Sequence, residues 1–348
     1  MKKLLLLATM FAVVLSVNAQ RRMQVWEGNT YMQFFITDVD SVTFLQFPEG
    51  ILQECEEIHD TIVKTIRDTV TLTVRDTITK TIKDTVYVKD TVYINRCNPE
   101  GQGVFSVSAD RQVSFAKGNL LYQPSTNKWC FANNQYDYIG NDNANISDTY
   151  TGWIDLFGWG TGNNPTNTST SYNDYQTFVD WGANTIGTDA PNTWRTLACE
   201  EWYYIFYARA NAQKLFGLGK VNGVNGTIIL PDNWIAPVGI TFTPSTEKGL
   251  ADQGGYYYDD NVNSHWSDNT YTLSDWQQME NAGAVFLPAA GGRSVYGVSD
   301  VQKDGYYWSS TVYDGTDAYR LSFRSYRFYT RSNNNRSAGF SVRLVQDL

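Results

Sequence analysis

The sequence predicts a mixed α+β protein in which a β-rich repeat precedes a head with few helices and many short strands. The chain of 348 residues combines 15% aromatic residues with 27 glycines, a composition that suits a loop-rich, β-containing fold. Between residues 60 and 94, β-branched side chains alternate with polar ones, which is a strand signal. Helix-like segments occur only after residue 195.

The first 19 residues have the pattern of a cleaved signal peptide. Lys2 and Lys3 precede an apolar run over residues 4–17, and the tripeptide VNA at 17–19 matches a small-residue cleavage site. Position 20 is not the cysteine that a lipoprotein would carry, and no later run approaches the roughly 20 apolar residues of a spanning helix. We therefore expect a secreted or cell-surface protein without a transmembrane span.

Residues 20–50 predict a small β element. The segments MQVWEG and NTYMQFFITDV read as strands that meet at a hairpin turn over Glu27-Gly28-Asn29. The ending VDSVTF resembles a short N-terminal element of exported bacterial proteins, and this resemblance implies nothing about function.

Residues 51–98 contain a repeat that we interpret as a β-rich stalk. Its aspartates, Asp60, Asp68, Asp76 and Asp84, recur every eight residues. One extended strand of this length would span about 110 Å at ~3.3 Å per residue and could not bury its apolar face alone. The segment must therefore fold back or pair with other chains, which allows a homo-oligomer through the stalk. Apolar residues at every fourth position leave a helix as the alternative.

The cysteines and histidines predict neither a metal site nor a cofactor. The four cysteines match no zinc or redox spacing, and His59 and His265 are the only histidines. Cys55 and Cys97 bracket the repeat, where they could link neighbouring chains through disulfides or stay unpaired. A formal net charge of -9 argues against nucleic acid as a partner of the whole chain.

Residues 99–348 predict one globular domain. FSVSADRQVSFAKGNLLYQ indicates two strands around Asp110-Arg111, and a helix is expected over TLACEEWYYIFYARANAQKLF from Thr196. A second helix is expected over LSDWQQMENAG, with Ser274 and Gln277 as its capping box and Gly283 as its end. Asn-Gly pairs at 222–223 and 225–226 predict turns. Further strands are expected at AVFLPAAG, GYYWSS, AYRLSF and FSVRLV, the last over 340–345.

Several of these segments together resemble the C-type-lectin-like fold, in the branch of formylglycine-generating enzymes and DUF1566 domains (Fibrobacter major paralogous domains). WRTLACEEWYYIFYARA is similar to the helix of that superfamily, and GYYWSS, AYRLSF and GFSVRLV are similar to its closing sheet and terminal strand. The NNR…GFSVR ending is also similar to variable proteins of diversity-generating retroelements. The resemblance implies a binding head whose exposed C-terminal positions select the ligand.

Two departures limit what the resemblance implies. No cysteine follows Cys199, so the late cysteine pair of formylglycine-generating enzymes is absent. The calcium-binding triplets of classical lectins are also missing, and Asp232-Asn233-Trp234 is only loosely similar to a calcium-binding element. We expect a turn there, with calcium binding as the alternative.

The segment 318–343 holds six arginines and no acidic residue. Arginine and tyrosine bury large contact areas in recognition surfaces, and arginine adds a planar set of donors. Alternation places Tyr319, Leu321 and Phe323 toward the core, with a loop expected from 326 to 333 and Arg336 and Arg343 expected to be structural. The resemblance to variable proteins implies an exposed variable patch at Tyr313, Asp314, Asp317, Arg320, Arg324, Tyr326, Arg327, Tyr329 and Arg331. Together with Asn333 of the expected loop, these are the predicted ligand-binding residues. The alternative is a solvated face whose arginines pair with acids elsewhere.

The sequence thus predicts an exported, adhesin-like ligand-binding protein of the cell surface. Its partner would be a surface protein or an acidic glycan, and no catalytic residues are expected. The Trp-Gly run GWIDLFGWGTG is expected to be a packed loop, with a sugar-stacking platform as the alternative. Two other functions remain open: a structural or assembly component of a surface fibre, and an enzyme that acts on glycans.

Overall fold

The computed structural model describes residues 103–253 and 256–348, together with the backbone of four short strands nearer the N-terminus. The chain divides into two units, 1–97 and 98–348. In the first unit β1 (Arg22–Glu27) pairs antiparallel with β2 (Thr30–Phe35), which confirms the two predicted strands. β3 (Val63–Lys64) pairs antiparallel with β4 (Val86–Tyr87). The predicted signal peptide, Cys55, Cys97 and the rest of the predicted stalk lie outside the described residues.

The second unit is a mixed α+β structure with few helices and many strands in open sheets. Its first strands are β5 (Phe105–Ser106), β6 (Gln112–Phe115), β7 (Leu120–Gln123), β8 (Lys128–Phe131) and β9 (Arg195–Thr196). The middle strands are β10 (Phe216–Val221), β11 (Val224–Ile229), β12 (Ala251–Asp252), β13 (Tyr256–Tyr258), β14 (Thr270–Tyr271) and β15 (Val285–Pro288). The last are β16 (Gly292–Ser294), β17 (Gly297–Ser299), β18 (Asp304–Val312), β19 (Asp317–Arg324), β20 (Arg327–Asn335) and β21 (Leu344–Asp347).

These strands form three larger sheets and two separate hairpins. The sheet orders are β14-β10-β11-β15, β12-β13-β20-β19-β18 and β5-β6-β21-β9, and the hairpins are β7-β8 and β16-β17. The described α-helices are α1 (Cys199–Tyr203), which continues as a π-helical turn over Tyr204–Ala208, and α2 (Leu273–Asn281). Short 3-10 turns occupy Pro124–Thr126, Gly140–Asn145, Tyr172–Tyr175, Trp181–Ala183, Ala212–Lys214 and Ser245–Lys248.

The first helix is shorter than the sequence pattern predicts. The backbone becomes extended at Arg209, with φ -66 and ψ 159. The buried Arg209 guanidinium donates to the carbonyls of Ile205, at 2.7 Å, and Leu230, at 2.9 Å, and it pairs with Asp232 at 2.9 Å. The helix thus ends at the residue whose buried cation is satisfied by three acceptors of the same unit. They also give Asp232 a structural role.

Two local predictions in this unit are wrong by a few residues. The capping box of α2 is formed by Thr272 and Asp275 instead of Ser274 and Gln277. Asn225-Gly226 is not a turn but part of β11, opposite β15. The turn at Asn222-Gly223 is confirmed, since Val221 pairs with Val224 and both turn residues have positive φ.

Aromatic side chains fill the core. Phe206, from the end of the helix, packs on Phe328 with ring centroids 4.4 Å apart, so the helix covers one face of the five-stranded sheet. The GWIDLFGWGTG segment is a packed loop as predicted, since Phe157 and Trp159 are buried and the indole Nε1 of Trp159 donates to the carbonyl of Ser309 at 2.9 Å. These two rings therefore have no free face on which a sugar could stack, as a sugar-stacking platform would require.

Candidate functional site

The predicted ligand-binding segment is part of a sheet. Residues 327–335 form β20, which pairs with β19 on one side and β13 on the other. The predicted loop over 326–333 is therefore wrong, and the final strand begins at Leu344 instead of 340. The first error arises because polar residues such as Ser332 and Asn333 have low strand propensity, and only pairing with β19 holds them extended. The second arises because Phe340 and Ser341 form only isolated bridges, to Phe157 and Tyr307.

An irregularity in β20 separates the predicted residues onto two faces. On β19, Arg320 and Ser322 are two residues apart. Their partners on β20, Ser332 and Tyr329, are three residues apart. This extra residue in β20 is a β-bulge, which moves the following side chains to the other face. Asn333 consequently lies opposite Tyr319, on the face that the helix covers.

Tyrosine and arginine side chains cluster on the face of the sheet that points away from the helix. The register places Tyr258, Arg327 and Arg324 in one row and Tyr256 and Tyr329 in the next. The ring centroids of Tyr256 and Tyr329 are 4.9 Å apart, and those of Tyr258 and Tyr326 are 5.7 Å apart. We call this cluster the tyrosine–arginine face; its members are Tyr256, Tyr258, Arg324, Tyr326, Arg327 and Tyr329.

Arg327 occupies the middle of the tyrosine–arginine face. Its guanidinium carbon lies 5.3 Å from the ring centre of Tyr329 and 5.9 Å from that of Tyr326, within the range of cation–π attraction. Among the residues that the structure describes, no carboxylate forms an ion pair with Arg327, and its Nε is buried without a hydrogen-bond partner. The charge of Arg327 is thus available to an external anion.

Arg324, its neighbour on β19, is neutralised within the molecule. Its Nη2 forms an ion pair with the buried carboxylate of Asp304. Burial disfavours the charge on Arg324, but the Tyr326 hydroxyl and the Asp304 carboxylate outweigh this effect and raise its pKa above the ordinary arginine value. Asp304 also accepts a hydrogen bond from the Tyr306 hydroxyl at 2.5 Å. Arg324 therefore supports the face rather than offering a free charge.

Arg320 lies on the same side of β19 as Arg324 but outside the tyrosine–arginine face. Its guanidinium carbon is 4.1 Å from the ring centre of Tyr306 and 4.5 Å from that of Phe340, so two aromatic rings cover it. Burial lowers the pKa of Arg320 to about 10. Its predicted role as a contact residue does not fit this position, since a ligand would have to displace both rings.

Three predicted residues lie away from the tyrosine–arginine face. Arg331 forms an ion pair with Glu200 of α1, and its guanidinium carbon lies 3.6 Å from the ring centre of Tyr203. Burial opposes the charge, but the hydrogen bond to Glu200 raises the pKa of Arg331 on balance. Tyr313 packs against Tyr319 with ring centroids 5.0 Å apart. The bulge in β20 places Asn333 opposite Tyr319. Arg331, Tyr313 and Asn333 therefore all lie on the side of the sheet that faces the helix.

Asp314 and Asp317 stabilise the turn between β18 and β19. The Oδ1 of Asp314 accepts hydrogen bonds from the backbone amides of Thr316 and Asp317, each at 2.8 Å. Backbone hydrogen bonds consequently hold the pKa of Asp314 below its usual value. The carbonyls of both aspartates accept from Arg336. Asp314 and Asp317 thus bind their own chain.

Arg336 and Arg343 are structural, as the sequence predicts. Arg343 is 1% exposed and donates to the Oδ1 of Asn119 at 3.1 Å and to the carbonyls of Ala116 at 3.1 Å and Phe286 at 2.8 Å. Arg336 is also buried, with its guanidinium carbon 5.0 Å from a ring centre of Trp159. Neither cation is available to a ligand.

A buried histidine holds the edge of the tyrosine–arginine face in place. The Nδ1 of His265 lies 2.7 Å from the Oδ2 of Asp268, and its Nε2 lies 3.2 Å from the Oδ2 of Asp259. The backbone amides of Asp259 and His265 donate to the carbonyls of Tyr326 and Ser325, at 2.9 and 2.7 Å. The loop after β13 is thereby fastened to the β19–β20 turn, which restricts the movement of Tyr258 and Tyr326.

Tyr256 and Tyr258 are not among the predicted ligand-binding residues. The sequence favours loop packing for the YYYDD run at 256–260, with a place at the rim of the binding site as the alternative, because nothing in the local pattern shows which distant strand the run pairs with. Its alternation is nevertheless a signal: Tyr257 is buried, while Tyr256 is 36% exposed on the other side. Read as an edge strand, the run predicts two outward tyrosines.

Comparison of the chain with family models, with curated proteins and with solved structures finds no match. In the described ranges no helix is both long and apolar enough to cross a membrane. Over the same ranges, no group of three or more His, Cys, Asp or Glu side chains could hold a metal ion. Within the described part of the chain, the arrangement offers an aromatic surface in which Arg327 has no ion-pair partner, which suits non-covalent binding.

Proposed function

We propose that the chain is an exported binding protein that attaches to a protein partner through the tyrosine–arginine face. The observation that carries this proposal is the position of Arg327, a cation without an ion-pair partner among the described residues, between the rings of Tyr326 and Tyr329. Tyrosine and arginine are the residues that most often dominate binding energy in protein interfaces. Here they stand on three hydrogen-bonded strands, so little order is lost on binding.

The pairing of the other arginines favours a protein partner over an acidic glycan. Arg324 and Arg331 are already bound to Asp304 and Glu200, so the segment offers much less positive charge than its composition indicates. A polyanion would need several free cations. A peptide surface with apolar side chains and one carboxylate fits the tyrosine rings and Arg327 better.

The C-type-lectin-like fold of the second unit is part of the proposal. In support of it, GYYWSS and AYRLSF are antiparallel neighbours in one sheet. The terminal strand β21 also pairs with β6 near the start of the unit. The export of the chain rests on the signal-peptide pattern of its first 19 residues.

The test compares two arginines of the same strand. Peptides selected from a random phage-displayed library on the immobilised full chain are measured by biolayer interferometry against Arg327→Ala and Arg331→Ala. We expect Arg327→Ala to weaken binding at least about tenfold, equivalent to ~1.4 kcal/mol, because a desolvated charge loses its partner. Arg331→Ala is the matched control and should change the affinity less than about twofold, because Arg331 lies on the helix side against Glu200 and Tyr203.

Tyr329→Ala extends the test to the aromatic part of the face. A central interface tyrosine commonly contributes about 2 kcal/mol or more, so a loss of roughly 30-fold is expected. Equal losses in Arg327→Ala and Arg331→Ala, or binding that survives both Arg327→Ala and Tyr329→Ala in folded protein, would show that the partner binds elsewhere.

A further inference from the structure

A loop of exposed residues, 260–264, lies at one end of the tyrosine–arginine face. Asp259, the residue before it, donates its backbone amide to the carbonyl of Tyr326, and His265, the residue after it, donates to that of Ser325. Ser325 and Tyr326 form the turn between β19 and β20. Both ends of the loop are therefore bonded to the turn that carries Tyr326, which is a member of the face.

Val262, in the middle of this loop, has a backbone conformation that valine rarely adopts. Its φ is 58°, in the left-handed region, where the Cβ comes too close to the following carbonyl oxygen. Among the described residues, all other non-glycine positions with positive φ hold Asn, Asp or Gln, namely Asn127, Asn192, Asn211, Asn222, Asp300 and Gln302. The β-branched side chain of Val262 is the exception, so its conformation costs free energy.

Asp259 holds the loop in this conformation. Its Oδ1 accepts a hydrogen bond from the backbone amide of Asn261 at 2.8 Å, and its Oδ2 accepts one from that of Asn263 at 3.2 Å. Its carbonyl accepts from the amide of Val262 at 2.9 Å. The bond from Asn261 is the main cause that keeps the pKa of Asp259 below its usual value. Three consecutive amides thus bind one aspartate, which fixes a strained backbone in place.

The strained residue contributes little packing to its own unit. Val262 is 51% exposed, and it belongs to none of the hydrophobic clusters found among the described residues. Its neighbours Asn261 and Asn263 are of a type that tolerates positive φ much better. An asparagine at 262 would keep the same three backbone hydrogen bonds at a lower cost. What valine adds is an exposed apolar side chain.

We propose, on the basis of the binding role proposed for the tyrosine–arginine face, that Val262 is a contact residue of the same protein-binding surface. Strained backbone that its surroundings hold in place is typical of binding sites, where it preorganises a contact. The partner then combines a carboxylate for Arg327 with an apolar side chain for Val262. Val262 selects against partners that would place a charge at this position, because that charge would lose water without gaining a partner.

Two variants of Val262 separate the strain from the contact. Asparagine adopts positive φ readily but is polar, whereas isoleucine keeps both the strain and the apolar surface. Thermal unfolding of the full chain is measured together with its affinity, by biolayer interferometry, for peptides selected from a phage-displayed library on the immobilised full chain. Val262→Asn should raise the unfolding midpoint by about 2–4 °C and weaken binding about fivefold, equivalent to ~1 kcal/mol. Val262→Ile should keep the midpoint and bind at least as tightly.

Val238→Asn is the matched control. Val238 is fully exposed in a different loop, and its φ is not positive. The same exchange there should shift the midpoint by less than about 2 °C and leave the affinity within about twofold. A loss of affinity as large as that of Val262→Asn would show that the effect is not specific to position 262 and would overturn the proposed contact.

Comparison with Arg327→Ala distinguishes the two proposals. If Arg327→Ala weakens binding and Val262→Asn does not, the contact at Val262 is refuted and the role of the tyrosine–arginine face stands. If neither variant weakens binding, both proposals fail. A midpoint that Val262→Asn leaves unchanged or lowers would show that the valine is not strained, and it would also overturn the proposed contact.

Discussion

Replacing Arg343 by methionine should strongly destabilise the second unit. The side chain is 1% exposed, and its guanidinium donates to the Oδ1 of Asn119 and the carbonyls of Ala116 and Phe286. Methionine has a similar length but no donor. Three buried acceptors, two in the segment 116–119 and one in β15, would therefore lose their partner at the same time.

The expected size follows from two opposing effects. Each buried acceptor left unpaired costs about 1–3 kcal/mol, and costs within one network do not add fully. Burial also lowers the pKa of Arg343 to about 10, so the native state already bears the cost of enclosing this charge, and methionine removes it. We expect the free energy of unfolding to fall by about 2–4 kcal/mol, a large part of the ~5–15 kcal/mol that a domain has.

Urea unfolding followed by tryptophan fluorescence measures this change. Arg327→Met is the matched control, because Arg327 lies in the same segment but has no ion-pair partner in the described part of the chain. It should alter the free energy of unfolding by less than about 0.5 kcal/mol, as surface substitutions usually do. If the two methionine variants unfold at the same urea concentration, the network around Arg343 does not support the fold and the reasoning is refuted.

Two further predictions concern buried titratable groups. Burial raises the pKa of the Asp155 carboxyl from 3.8 to about 6. The native state therefore binds the carboxyl proton more tightly than the unfolded state does, and the free energy of unfolding falls as pH rises from about 4 to 7. Asp155→Asn removes this pH dependence. The free energy of unfolding of the variant minus that of the unchanged protein should therefore grow by about 3 kcal/mol over this range, and a constant difference would contradict the prediction. Burial likewise raises the pKa of Cys199 to about 12. Iodoacetamide at pH 8 should leave Cys199 unmodified until urea unfolds the protein, and alkylation of the native chain in peptide mass spectrometry would show that the helix start opens.

Local patterns were sufficient where the physical cause is local. The Asn222-Gly223 turn follows from two residues that tolerate positive φ between two strand-forming runs. The structural role of Arg343 also agrees with its place among apolar residues near the end of the chain. The extent of α1 was not predictable in this way, because Arg209 ends the helix by bonding to Asp232 and Leu230, which follow much later in the sequence.

The candidate site shows the same limit. The segment 318–343 was identified from its arginines and tyrosines, and four of its predicted residues do lie together: Arg324, Tyr326, Arg327 and Tyr329. The alternative of intramolecular pairing also proves correct for Arg324 and Arg331. Which arginines meet a carboxylate depends on strands and a helix that the local pattern does not connect.

The sequence by itself determined the kind of surface, because residue types set the available chemistry, here aromatic rings and guanidinium groups. The tertiary structure alone decided which of these groups an external molecule can reach. One additional residue in β20 turns Arg331 and Asn333 toward the helix, and pairing with β13 brings Tyr256 and Tyr258 beside Arg327. Strand register is a property of two chain segments at once, so it is settled only when the sheet forms.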